Sequence, residues 1–160
     1  MKRYDNSRFN GNKYGGQQRY NEHKAGGFKC SHCKQFVVIN DIMGTANRNH
    51  CNMCLWSKHV DKAKGDRKST CNGGMRPVGL TFKYEGHGKI GEIMLIHLCS
   101  ACQKISINRI ARDDPEDCIL DVFRKSSELG NSIRLQFIKA GIGLLVESDF
   151  IEINKQLFGY

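Results

Sequence analysis

Cys30 and Cys33 form one Cys-x-x-Cys pair and Cys51 and Cys54 a second, with 17 residues between Cys33 and Cys51. That spacing lies inside the window of a four-cysteine structural zinc site. Two thiolates on one tight knuckle supply half a tetrahedron, and a second knuckle closes it. A third pair, Cys99 and Cys102, has Cys71 upstream and no fourth cysteine at a matching distance. Four donors are needed, so a histidine would complete the set. His87 lies in a glycine-rich loop, and His97, two residues before Cys99, reaches the same ion awkwardly. His50 adjoins a ligand of the first site and suits hydrogen bonding around it. His59 can swing toward Cys71 across a short loop, so the expected second set is His59, Cys71, Cys99 and Cys102. The alternative is a single zinc, with Cys71, Cys99 and Cys102 as reduced core thiols. His32, between two ligands, is expected to be exposed. Cys118 has no knuckle partner and reads as a buried apolar residue.

Two zinc ions are therefore the expected cofactors, and their chemistry is structural. A catalytic zinc keeps one coordination position open, and four thiolates close the first site. A metal-dependent nuclease or RNA-modifying hydrolase using His50, His87, His97, Asp113 and Asp114 is the alternative. The deaminase pattern fails, because no glutamate stands two residues after a suitable ligand histidine. Asp113 and Asp114 read better as a helix start.

The knuckles need strands to hold them. Phe36 to Ile39 is a short β-prone run, and Asn40 to Asn49 a polar loop. Val78 to Tyr84, with Val78, Leu80 and Phe82 on one side, and Ile93 to Leu98 predict an antiparallel hairpin. The hairpin leads into Cys99, and Ile105 and Ile107 alternate beyond Cys102. Trp56 is expected to cap the first metal site or to pack in the core. Asp114 before Pro115 reads as the N-cap of a helix running to about Leu129, with Gly130 as its stop. Further helices are expected near 132–140 and 149–158, the latter capped by Ser148. The fold class is small α+β: a zinc-ribbon-like antiparallel core over 28–114, a disordered basic arm over 1–27 and a helical extension over 115–160. That extension could dock on a partner or on the ribbon.

The 160 residues carry a net charge of +9, a balance that favours polyanions. No apolar run approaches the ~20 residues a membrane-spanning helix needs, and the first residues lack the apolar region of a secretory signal. Knuckle spacing without an export signal favours thiolates in a reducing cytoplasm over disulfides. In the arm and just past it, Arg3, Arg8, Lys13, Arg19, Lys24 and Lys29 interleave with Tyr4, Phe9, Tyr14 and Tyr20. Charge for phosphates and ring faces for unpaired bases suit RNA. Arg48, Lys58, Lys64, Arg67, Lys68, Arg76, Arg109 and Arg112 are the candidate phosphate contacts on the folded part. The first function expected is a zinc-held RNA binder acting on ribosomal RNA beside ribosomal proteins, as a small component or a translation or hibernation factor, monomeric by default. A protein-interaction adaptor and a DNA-binding ribbon are the remaining alternatives.

Arg48-Asn49-His50-Cys51 through Cys54-Leu55 and Ser57-Lys58-His59-Val60-Asp61 resembles the RNHCP domain family. So do Gly65-Asp66-Arg67, Cys71, Met75-Arg76-Pro77, His97-x-Cys99-x-x-Cys102 and Asn108-Arg109-Ile110-Ala111-x-Asp113-Asp114. The resemblance covers about residues 28 to 114 and departs at Asn52, where the family has proline after the second motif cysteine. It implies a zinc-binding domain and names no activity.

Overall fold

The computed structural model of the chain describes residues 26–39, 48–63 and 65–160. The arm positions Arg3, Arg8, Lys13, Arg19 and Lys24, most of the connector after Ile39, and Lys64 lie outside the described residues.

Two antiparallel sheets hold the knuckles. The smaller pairs β1 (Gly27–Lys29) with β2 (Phe36–Val38), so the Cys30–Cys33 turn sits at its closed end. The larger runs in the order β3 (Ser57–Lys58), β4 (Gly74–Tyr84), β5 (Ile90–Cys99) and β6 (Ile105–Arg109). The β4–β5 hairpin is longer at both ends than alternation alone suggests, and β1 and β3 are too short to leave a pattern. The backbone is irregular between Pro77 and Gly79. An extra residue there reverses the side-chain alternation. Leu80 and Phe82 therefore face one cluster while Val78 faces another, instead of all three sharing a side.

Strand β5 is central and covered on both faces, so it reads as a near-continuous apolar run. Ile93 and Leu95 feed one cluster, Ile96 and Leu98 the other. The segment after residue 115 docks on this sheet. Helix α1 (Glu116–Ser126) contributes Ile119, Leu120 and Phe123 to the cluster that holds Leu55, Leu80 and Leu95. Ile153 of α3 (Phe150–Phe158) joins them, and Phe137 of α2 (Asn131–Lys139) joins Val78, Ile96 and Leu98. Leu80, Leu95 and Ile153 have no exposed surface, each worth about 1.5–3 kcal/mol relative to exposure.

The helix boundaries depart from expectation at three places. Pro115, not Asp114, is the N-cap of α1, and no side chain caps it. Asp114 instead turns inward and accepts from the Ala111 N–H at 2.7 Å. Helix α1 ends at Ser126, before Leu129. There Ser126 and Ser127 donate their hydroxyls to the Phe123 and Arg124 carbonyls, and the Arg134 guanidinium takes the Ser126, Ser127 and Leu129 carbonyls. Those bonds occupy acceptors that a continuing helix would need. Ser148 does not cap α3; it lies in a 3-10 turn (Glu147–Asp149), where the Asp149 carboxylate accepts from the Val146 N–H.

Candidate metal centres

One turn is used three times. After each Cys-x-x-Cys pair the next residue adopts the left-handed region: Lys34 at φ 67°, Leu55 at 58° and Gln103 at 61°. Its N–H bonds back to the carbonyl of the pair's first cysteine, at 3.1, 2.8 and 3.0 Å. The N–H of that cysteine in turn donates to the carbonyl one residue further on, Gln35, Trp56 and Lys104. The backbone thus closes each loop and leaves both thiols on one side. His59 and Cys71 replace a fourth knuckle. They are joined by the His59 N–H on the Gly73 carbonyl and the Asn72 N–H on the His59 carbonyl.

Cys30, Cys33, Cys51 and Cys54 bring their sulfurs within 4.8 Å of one another, as do the donors of His59, Cys71, Cys99 and Cys102. Cys30 and Cys54 are 3.7 Å apart, Cys33 and Cys51 3.6 Å, Cys71 and Cys99 3.7 Å, and the Cys102 Sγ is 3.3 Å from His59 Nδ1. A zinc tetrahedron with Zn–S bonds of about 2.3 Å has edges of about 3.8 Å. These separations match such edges and are far beyond a disulfide bond of about 2.0 Å. Both tetrads suit zinc. The three thiols Cys71, Cys99 and Cys102 converge with His59 rather than lying apart in the core, and each tetrad offers four protein donors.

Thiol acidity points the same way. Burial works to raise Cys33, but the Gln35 N–H and the surrounding thiols outweigh it and bring it down to about 7. Burial likewise opposes ionisation of Cys99, yet the Cys102 and Ala101 N–H groups and the His59 imidazole bring it down to about 6. Cys51 and Cys54 go up, chiefly through burial and then through neighbouring thiols. The Gly73 N–H favours the Cys71 thiolate, but burial and the Cys102 and Cys99 sulfurs together push it up. Cys33 and Cys99 thus ionise more readily than Cys51, Cys54 and Cys71, whose ionisation the neighbouring sulfurs oppose. A divalent cation removes that conflict by neutralising the accumulating charge.

Behind the first tetrad lies a charged network. Arg48 is 2% exposed. Its guanidinium bonds the carboxylates of Asp113 and Asp114, and its Nε donates to the His50 carbonyl. His50 Nε2 donates to Asp114 Oδ2 at 2.7 Å. Asn52, the departure from the family's proline, donates to Asp113 Oδ2 at 3.1 Å, a bond proline cannot make. His97 is fully buried; its Nε2–H donates to the Leu55 carbonyl at 2.7 Å while Nδ1 accepts from the Asn108 amide at 2.9 Å. Burial first, then the nearby His50, holds its pKa down to about 4 against the pull of the Leu55 carbonyl. This overturns two expectations. Arg48 is a buried structural cation and not a phosphate contact. Asp113 and Asp114 belong to the network, not to the helix start. Composition gives no sign of this network; the pairing of Arg48-Asn49-His50 with Asp113-Asp114 in one ordered motif is the trace it leaves.

The other candidate phosphate contacts fall into two groups. Lys29, Lys58, Arg67, Lys68, Arg76 and Arg112 are exposed. Arg109 is exposed but held by two bonds to Glu92 Oε2 at 3.0 and 2.8 Å. The loop carrying Arg67 and Lys68 is folded around Asp66, whose carboxylate accepts from the Lys62, Ala63 and Lys68 N–H groups. The Ala63 and Lys68 bonds lead in holding that carboxyl below its ordinary range. Trp56 is not a core residue. It is half-buried and stacks on the exposed His32 of the first knuckle, ring centroids 4.1 Å apart and planes 4° apart. Beside it runs a groove of about 310 Å³ lined by Phe28, Lys29, Trp56, Lys58 and Arg67 among others. Cys118 is half-buried against the main core cluster. No helix among the described residues is long and apolar enough to cross a membrane.

No curated protein and no solved structure matches the chain. A family model, described as the RNHCP domain, matches residues 25–120.

Proposed function

The chain belongs to the RNHCP domain family, and from that premise we propose that it is a zinc-held RNA-binding protein, with ribosomal RNA and neighbouring ribosomal proteins as its partners. One observation carries the reading: Lys29, Lys58 and Arg67 line a single groove together with the aromatic rings of Phe28 and Trp56. Cations meet phosphates, and ring faces meet bases that are out of the duplex stack. The net charge of +9 supports it. The zinc ions act by fixing the loops that carry these side chains. A metal-dependent nuclease would need an open coordination position, and each tetrad supplies four protein donors.

The test is recovery of RNA with the zinc-loaded full chain from a lysate at low salt, followed by titration of the recovered RNA. Three phosphate contacts on a single strand would lower affinity about 20-fold between 50 and 200 mM salt. Lys58→Glu with Arg67→Glu should weaken binding and flatten that dependence. Affinity that ignores salt, or RNA recovery no better than for a neutral protein of similar size, rules the reading out.

A further inference from the structure

We propose that the outer face of the His32 imidazole is the stacking platform for one unpaired RNA base. The proposal rests on the RNA-binding reading above and adds the contact that would discriminate unpaired from duplex RNA. His32 and Trp56 lie face to face at 4.1 Å with planes 4° apart. Trp56 also borders Gly74, where a Cβ would come within 3.3 Å of the indole ring. His32 is exposed, and with its inner face on the indole, that exposure is through its outer face and edges.

The platform is held rigid. His32 stands between Cys30 and Cys33, both in the first tetrad, and Lys34 closes the turn in the left-handed region. An ion-pinned ring on a closed turn has little freedom to lose when a base settles on it, which favours binding. Lys29 lies three residues before His32, and Lys58 and Arg67 line the adjoining groove with Trp56. They would take phosphates of the strand that carries the stacked base. A base inside a duplex offers no free face, so the partner is an unpaired segment.

The experiment uses the zinc-loaded full chain with a single-stranded oligouridylate, a blunt RNA duplex of equal length, and a 5-bromouridine version of the single strand for crosslinking. The crosslink should map to the peptide containing His32. His32→Ala should weaken single-strand affinity about 5- to 160-fold, His32→Tyr should restore most of it, and duplex affinity and salt dependence should stay as in the wild type. Zinc content of each variant checks that the knuckle is intact. A crosslink confined to other peptides, or equal single-strand affinity in His32→Ala and wild type, overturns the platform while leaving RNA binding in place. Absence of all RNA binding by the wild type overturns both.

Discussion

Arg48 and Asp114 stand 66 residues apart, yet their side chains meet with no solvent exposure on either. The contact ties the second knuckle to the turn before α1. Asp114 also accepts from His50 and from the Ala111 N–H, so its carboxylate is ringed by donors. Two distant parts of the chain, residues 48–50 and 111–114, are locked by one buried anion and its cation.

Replacing Arg48 by alanine should destabilise the zinc-loaded protein by about 3–5 kcal/mol, because it strands a buried carboxylate. Arg48→Lys should recover only part of this, since one ammonium cannot serve two carboxylates in the same fork geometry. Urea unfolding monitored by Trp56 emission measures both. RNA affinity of the molecules that remain folded should be unaltered, as expected of a side chain that solvent cannot reach.

The two tetrads should differ in how they give up metal. Cys102 is exposed, whereas Cys30 and Cys51 of the other tetrad are buried. A competing chelator should therefore remove the ion at His59, Cys71, Cys99 and Cys102 first. Metal analysis should find two zinc ions per wild-type chain and about one in Cys102→Ser. Two firmly held ions in that variant would contradict the ligand assignment.

Gly73 offers a test that touches no ligand. A Cβ there would lie 2.9 Å from the Ala101 Cβ, 3.0 Å from the Cys99 sulfur and 3.3 Å from the Cys71 sulfur. Gly73→Ala should force these apart at a cost of about 1–3 kcal/mol and weaken zinc binding at the second tetrad about tenfold or more. Competition with a zinc-sensitive dye reads this directly. The loss should be larger at the second tetrad than at the first.

His97 predicts an acid dependence. Its folded pKa is about 4, against about 6.5 in an unfolded chain. As pH falls between those values the unfolded chain takes up a proton that the folded one refuses. The stabilisation is therefore complete above pH 6.5 and is lost as pH falls toward 4, to about 3 kcal/mol in all. With free zinc held constant, the stability gap between wild type and His97→Gln should narrow by about 1.4 kcal/mol per pH unit over that window. A gap that stays constant would mean that His97 is not held neutral by burial.

The sulfur spacings make the metal centres readable in the sequence, because a knuckle is a local turn whose two ligands are only three residues apart. His59 was reachable by elimination among four histidines. Arg48 was misread for a physical reason: a cation in a basic chain looks like a surface charge until its distant partners, Asp113 and Asp114, are brought to it by the fold. Asp114 before Pro115 and Glu116 carries a helix-start signal, yet a buried guanidinium and imidazole compete better for its oxygens than a solvated helix end does. Val78 was assigned to the wrong face because alternation cannot reveal an irregularity at Pro77–Gly79. Of the two places open to Trp56, over the first metal site or in the core, its size favours the core, yet the ring stacks on His32 of the first knuckle.

Strand β3 has a mechanical consequence. Cys54 grips one ion and His59 the other, and only Leu55, Trp56, Ser57 and Lys58 separate them. Such a short strap cannot slacken at one clasp without tugging the other, so departure of either ion should hasten departure of its neighbour. The chain's lone indole sits on that strap and would register both events in a single optical signal.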